Sequence, residues 1–413
     1  MNSTSIIVIA IVLALLAYVC WLFSSPGEPK PLIPEEEDKA LLSLLPEDTS
    51  SGNDVTTFTE FFPMVEQIIE DIDKATDYIH MSFFKFEDDP VGRRIEEHLA
   101  KKAAEGLDVR VMVDFAVNML RGKLYKDMRN DGIKTRIFSP MYIPFLRKSD
   151  NYRYHRKIVA IDGQVAYIGG MNIAEHYGSG LSWGCWRDTH IRIDGPAAAR
   201  CEYYFARDWA HKRGELLSDS RFRSKPVKKG DVNVDVVCSG PKGEGPEVMR
   251  RICKMLDDST RYAWLESPYL IPTKEIKESV FNAARRGVDV RIIYPCRGDH
   301  GILTPLASDS YAEEFMDAGV KVAQYQIGYM HSKAIVCDDR FATVGSTNID
   351  PRSYCLDYEV NAFIEDPVYV QELKSAFLTD EASSVYLDAQ EWKNRSHLKR
   401  AMEAVAKSVS VQL

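Results

Sequence analysis

One polar motif occurs twice in this 413-residue chain with a single spacing. In the first copy His155 is followed by Lys157, Asp162, Gly169, Gly170 and Asn172; in the second, His331 is followed by Lys333, Asp338, Gly345, Ser346 and Asn348. With 9 histidines in the chain, a lone His-x-Lys carries no information. Two copies that also share Asp, Gly and Asn at matching offsets imply a duplicated unit, and the surrounding sequence repeats as well. ATDYIHMSFF (75–84), a helical pattern at Val91, Ile95, Leu99 and Ala103, and GLDVRVMVD (106–114) form the first unit. STRYAWLESPYL (259–270), Ile276, Val280 and Ala284, and GVDVRIIYP (287–295) form the second. Each reads as strand, amphipathic helix, glycine stop and strand, a βαβ crossover on a parallel sheet.

The remaining segments frame this body. Residues 6–23 are 18 consecutive uncharged, mostly apolar residues. As a helix they reach ~27 Å, close to a bilayer core, and read as a retained single-pass anchor. A signal peptide is the competing reading, disfavoured by the absence of a preceding Lys or Arg and by the poor cleavage site at Ser24-Ser25-Pro26. Tyr18 and Trp21 suit an interfacial belt, and the side of the membrane stays open because Lys and Arg barely flank the run. Residues 24–56 hold eight acids against two bases and read as a Pro/Ser-rich tether with one marginal helical turn. They carry six of the nine net negative charges, so the body is near neutral and lacks the basic balance of a dedicated nucleic-acid binder. The expected domains are a first lobe at 57–220, a basic linker at 221–231, a second lobe at 232–390 and a C-terminal amphipathic helix at 391–413, which is expected to pack on the body. Eight scattered cysteines without a C-x-x-C pair read as free thiols, and no His/Cys/Asp cluster has zinc spacing, so no metal or cofactor is expected.

KIVAI and QVAYI, separated by Asp162-Gly163, read as a hairpin. Side chains two apart share a face, so His155 and Lys157 are expected on one side of their strand. Asp162 and Asp338 fall at turns and are assigned a supporting role. Two imidazoles, two ammonium groups and two carboxamides across a pseudo-two-fold axis suit a phosphodiester: Lys157, Lys333, Asn172 and Asn348 can hold the non-bridging oxygens. One histidine can attack phosphorus while the other protonates the leaving alkoxide. Each imidazole then needs a carboxylate to fix its tautomer. Asp188 in WRDTHIRI, 33 residues after His155, and Glu359 in LDYEVNAF, 28 residues after His331, are the candidates, since an acid in such apolar strands is costly to bury unpaired.

These motifs resemble the phospholipase D superfamily, and HRKIVAIDGQVAYIGGMNI, WRDTHIRIDGP, the Asp208-Trp209 pair, SPYLIP, MHSKAIVCDDRFATVGSTNIDPRS and DYEVNAF resemble its bacterial cardiolipin synthase branch, from about residue 57 onward. The resemblance implies two α/β/α sandwich lobes with the site between them, and phosphatidyl transfer through a phosphohistidine. His155 would then be the nucleophile and His331 the acid, although the near-symmetric motif itself does not distinguish them. Gly170 departs from the serine seen at Ser346, which puts one hydroxyl hydrogen bond in doubt. The implied reaction joins two phosphatidylglycerol molecules into cardiolipin and glycerol, at the inner membrane of a bacterium, with membrane phospholipid as substrate, the bilayer as partner, and neither nucleic acid nor an obligate protein partner. Alternatives are hydrolysis to phosphatidic acid, a phosphodiester nuclease of the same superfamily, and a non-catalytic scaffold. His300 in CRGDHGIL is a candidate substrate contact, and MYIPFL (141–146) a candidate acyl entrance; the other histidines read as structural.

Overall fold

The computed structural model describes residues 18, 21, 30–118, 122–138, 148–211, 214–225, 227–298 and 301–410. The apolar run 6–23, Tyr18 and Trp21 apart, lies outside the described residues, as do His300 and 141–146. Among the described residues, no helix is long and apolar enough to cross a membrane.

The first lobe contains β1 (Asp54–Phe58), β2 (Tyr78–Phe83), β3 (Asp108–Asp114), β4 (Lys134–Phe138), β5 (Arg153–Tyr154), β6 (Ile158–Ile161), β7 (Val165–Gly169), β8 (Cys185–Arg187) and β9 (His190–Asp194). The second contains β10 (Asn233–Ser239), β11 (Tyr262–Glu266), β12 (Asp289–Pro295), β13 (Lys321–Tyr325), β14 (Gly328–Met330), β15 (Ala334–Cys337), β16 (Phe341–Gly345), β17 (Asp357–Glu365) and β18 (Ser384–Tyr386). The sheet orders correspond: β1-β9-β7-β6-β2-β3-β4 in one lobe and β10-β17-β16-β15-β11-β12-β13 in the other, with β18 added at the edge. β2 and β3 are parallel, as are β11 and β12, so both crossovers expected from the repeat are present. The sheets as wholes are mixed rather than parallel, because the motif hairpins β6–β7 and β15–β16 add antiparallel strands beside β2 and β11.

Local chemistry explains the crossover helices. Asp89 caps the helix Pro90–Ala104 by accepting from the Gly92 N–H, and Thr273 does the same for Lys274–Arg285 through Ile276. Gly106 and Gly287 follow these helices with φ of 96° and 85°, a conformation that costs glycine least. Val91, Ile95 and Leu99 are buried on one face of the first helix, Ile276 and Val280 on the second. The inner faces of both sheets merge into one core with the helices Ala197–Ala210 and Pro367–Ala382, where Ile168, Ile191, Val236, Val344, Val360 and Phe377 pack together. The lobes are therefore fused by apolar burial, the largest favourable term in holding any two such units together.

Of the stretch expected as a tether, the described part from residue 30 onward is docked. Glu35–Leu42 is a helix, and Leu32, Ile33 and Leu41 are buried with Tyr203, Phe205 and Trp209 of the first lobe. β1 begins inside it, at Asp54. Acidic composition suggested a solvated chain, but these aliphatic side chains lie against an aromatic face, and Asp38 accepts from the Tyr203 hydroxyl at 2.8 Å.

Candidate active site

The two motifs meet through strands that each lobe lends to the other. β5, just before His155, runs parallel to the start of β17, with Tyr154 opposite Tyr358. β14, just before His331, runs parallel to β8, with Met330 opposite Arg187. The His155 N–H donates to the Tyr358 carbonyl at 3.0 Å, and the His331 N–H to the Arg187 carbonyl at 2.6 Å. This exchange carries Glu359 to His155 and Asp188 to His331. His155 Nδ1 is 2.9 Å from Glu359 Oε1, and His331 Nδ1 is 2.5 Å from Asp188 Oδ2. Each histidine is thus oriented by the other lobe's acid, the reverse of the order in which sequence proximity presents them.

With Nδ1 committed in both cases, Nε2 is the nitrogen left for chemistry. Lys157 and Lys333 each donate from Nζ to the carbonyl of their own motif histidine, Lys157 at 2.7 Å. Residues 155–157 lie between β5 and β6 rather than in a strand, so the strand face expected to be shared by His155 and Lys157 is not formed; the two are linked instead by this bond. Asn172 accepts from the Lys85 N–H through Oδ1 and donates to the Tyr177 hydroxyl at 2.6 Å. Asn348 is buried, and its Oδ1 lacks a hydrogen-bond partner.

Asp162 and Asp338 sit at the far ends of the hairpins, at φ of 53° and 57°. Asp162 accepts from the N–H groups of Thr76, Asp77 and Tyr78, and Asp338 from those of Thr260, Arg261 and Tyr262. Both therefore staple a motif hairpin to the start of the neighbouring crossover strand. Ser346 donates to Glu359 and accepts from the Val360 N–H at 2.9 Å. A Cβ at Gly170 would stand 2.0 Å from Asp188 Oδ1. The shorter aspartate fills the space that the serine side chain takes in the other half, so the missing hydroxyl is a steric consequence of having Asp188 there.

Electrostatics separate the halves. Burial pushes His155 well below the usual imidazole range, helped by the charges of Lys157, Lys333 and Arg352. Burial also lowers Lys157 to about 7 and raises Glu359 to about 7. For Asp188 burial acts upward, but Lys333, His331 and the Thr189 N–H outweigh it and hold the carboxyl below its usual range. The surroundings differ too: Tyr177, Trp186 and Tyr329 ring His331 at 5.0–5.8 Å between centroids, and Phe84 meets His155 edge-on at 5.1 Å.

Arg156, inside the first motif, was not singled out by spacing. It is wholly buried, donates to Asp208 at 2.5 and 2.6 Å, and reaches the carbonyls of Glu359 and Ser239 at 3.1 Å each. It ties the first motif to the second lobe and explains the Asp of the Asp208-Trp209 pair; set between His155 and Lys157, it carried no signal that distinguished it in the sequence. Ser332, its counterpart, shares a 2.8 Å hydrogen bond with Thr189. His190, fully buried, has neither ring nitrogen hydrogen-bonded, and burial lowers it to about 3. A cavity of about 740 Å³ between Arg200, Arg251 and Phe363 is lined by Phe341 and Ala342 of the second motif hairpin but by none of the motif histidines, lysines or asparagines.

Comparison with known proteins bears on this geometry. A family model described as "Cardiolipin synthase, PLD-like domain" matches residues 68–209 and 252–380. The chain is 36% identical over 365 residues to a cardiolipin synthase of Staphylococcus aureus strain Mu50, covering 87% of this chain and 74% of that one. It is likewise 36% identical to a cardiolipin synthase of Listeria monocytogenes serotype 4b strain CLIP80459, covering 76% of that protein. Among solved structures, phosphatidylserine synthase from Haemophilus influenzae Rd KW20 has a similar fold, with a TM-score of 0.66 at 16% identity over 92% of this chain and 100% of that one.

Proposed function

The chain belongs to the cardiolipin synthase family of phospholipase D-like proteins, and from that membership we propose that it transfers a phosphatidyl group from one phosphatidylglycerol to a primary hydroxyl of another, giving cardiolipin and glycerol. The observation that carries the mechanism is the unequal surroundings of two equally built histidines. A nucleophile must be unprotonated, and His155 is pushed toward the neutral form. A general acid must carry a proton, and an ionised Asp188 at 2.5 Å stabilises an imidazolium at His331. These two conditions support the assignment that the motif symmetry left open.

In the first step Nε2 of His155 forms a bond to phosphorus, the bond from phosphorus to the glycerol oxygen breaks, and His331 gives its proton to that oxygen. Glycerol leaves. In the second step a glycerol hydroxyl of another phosphatidylglycerol loses its proton to His331 and attacks phosphorus, and the phosphorus–nitrogen bond breaks to restore His155. Lys157, Lys333, Asn172 and Asn348 hold the non-bridging oxygens, where charge grows in the pentacoordinate transition state. A phosphate between the lysines favours the charged form of Lys157, which burial otherwise opposes. The apolar run 6–23 serves in this reading as a single anchor in the bacterial inner membrane, keeping the domain beside a substrate that stays in the bilayer.

The test is to incubate the detergent-solubilised protein with phosphatidylglycerol vesicles in EDTA and identify the lipid products by mass spectrometry. Cardiolipin and glycerol are expected, undiminished by EDTA, with a loss of about 10⁴ or more in His155→Ala. Phosphatidic acid as the sole product means that water resolves the intermediate and replaces the proposal with a hydrolase. Loss of activity in EDTA that only added metal restores refutes the mechanism.

A further inference from the structure

The C-terminal helix His397–Val409 turns most of its charges inward. Glu403, 3% exposed, is held by Arg395 at 2.6 Å, Lys399 reaches Asp309 at 3.0 Å, and Lys407 reaches Glu314 and lies over the Tyr311 ring. Ala406 is fully buried with Ile271 and Ala307. The outward side carries Leu398, Met402 and Val405, which are 73%, 40% and 63% exposed, with the exposed Ala401 among them. Their spacing of three and four places them on one helical stripe. A surface helix ordinarily presents the opposite arrangement, with charge outside and apolar residues inside. Packing on the body, expected from the sequence, is achieved here by ion pairs and one small residue, which leaves the apolar stripe without a partner among the described residues.

Charge narrows what covers it. The helix has one carboxylate, Glu403, and it is buried, against three cations, Lys399, Arg400 and Lys407; of these Arg400 is exposed beside the stripe, 3.6 Å from Glu313. An apolar stripe with a positive flank and no exposed acid of its own matches a bilayer with anionic headgroups. A second copy of the chain is a poorer fit, since four side chains fall well short of the roughly 20–30 residues per side of a stable interface. Location agrees: Ala406 packs on Ile271, whose N–H donates to the Ile349 carbonyl at 3.0 Å, next to Asn348. Ile302 and Leu303, 61% and 43% exposed, start the neighbouring helix Leu303–Asp317 about one turn before Ala307.

We propose that the outward face of the C-terminal helix lies on the surface of an anionic phospholipid bilayer and thereby seats the mouth of the cleft at headgroup level. The inference rests on phospholipid being the substrate. In the full chain, Leu398→Asn, Met402→Gln and Val405→Asn combined are assayed on phosphatidylglycerol vesicles and on short-chain phosphatidylglycerol dissolved as monomers. Turnover on vesicles at limiting lipid is expected to fall about tenfold and to recover as vesicle concentration is raised, with monomer turnover within about twofold of the parent.

Should the combined variant misfold, monomer turnover falls as well, and a second measurement decides. p-Benzoylphenylalanine in place of Met402, in an otherwise unchanged chain, is photolysed on phosphatidylglycerol vesicles, with the same group in place of Val368, 81% exposed on another helix, as the control. A phospholipid adduct at 402 well above that at 368 is expected. Equal vesicle turnover of a folded variant and its parent overturns the proposal, as does an adduct at 402 no greater than the control. A protein–protein adduct at 402 overturns it in favour of a second copy. If the parent turns over neither form of phosphatidylglycerol, the functional reading fails while the adduct still decides the membrane contact.

Discussion

Around His155 the orienting acid is Glu359, buried, hydrogen-bonded by Ser346 and raised to about 7, with Asp357 and Asp350 raised by burial to about 8 and about 6 on nearby turns of chain. Around His331 it is Asp188, equally buried but held ionised by Lys333 and His331 and set among aromatic rings. Inside the motif itself, one half places the Arg156–Asp208 ion pair where the other places the Ser332–Thr189 hydroxyls. A duplicated motif thus specifies two equal sets of reacting groups, and its neighbours make them unequal. Burial alone favours neutral forms; fixed opposite charges reverse this, and the two halves differ in which effect wins.

If the halves differ in this way, exchanging charge for neutral isosteres should hurt them unequally. Asp188→Asn removes a carboxylate that is ionised, so turnover of phosphatidylglycerol should fall by about 10³ or more, whereas Glu359→Gln removes one that burial raises to about 7, leaving it only partly ionised near neutral pH, and should cost at least about tenfold less. Equal losses at saturating lipid would erase the distinction. The motif interiors should differ in stability: Arg156→Met strands Asp208 in the core and should destabilise by about 3–5 kcal/mol, against about 1 kcal/mol for Ser332→Ala, measured by denaturant unfolding of detergent-solubilised protein.

Gly170→Ser should displace Asp188 and lower kcat by roughly ten- to a hundredfold, while Ser346→Gly should cost only a few-fold, since it removes a hydrogen bond without a clash. The smallest effect concerns pH. Lys157 is charged below about 7 and loses that charge as pH rises, so kcat/KM should decline on the alkaline side of neutrality. Lys157→Arg, whose charge persists, should retain less activity but move that decline upward; an unmoved alkaline limb assigns it to another group.

Much of this protein was legible in its sequence because the informative signals were local. Four-residue spacing marked the crossover helices, and Gly106 and Gly287 their ends, each through contacts within a turn or two of chain. The motif hairpins followed from alternation around Asp162-Gly163, and Asp162 and Asp338 act in turns as their positions implied. The reacting groups could be listed from the motif, and Asp188 and Glu359 from the cost of burying an acid among apolar residues.

Pairing was another matter. Glu359 is 204 residues from His155 and Asp188 is 143 from His331, and nothing in local spacing says that two lobes exchange their short strands β5 and β14. The docking of residues 30–45, the burial of Arg156 against Asp208, and the outward apolar stripe of the C-terminal helix were equally beyond local pattern. The sequence by itself determined the two lobes and the chemical groups they carry, because periodicity, capping and turn geometry act over a few residues. Only the tertiary structure decided which acid serves which histidine and how far each is ionised, because those depend on the apolar fusion of the lobes and on the distances and burial that it imposes.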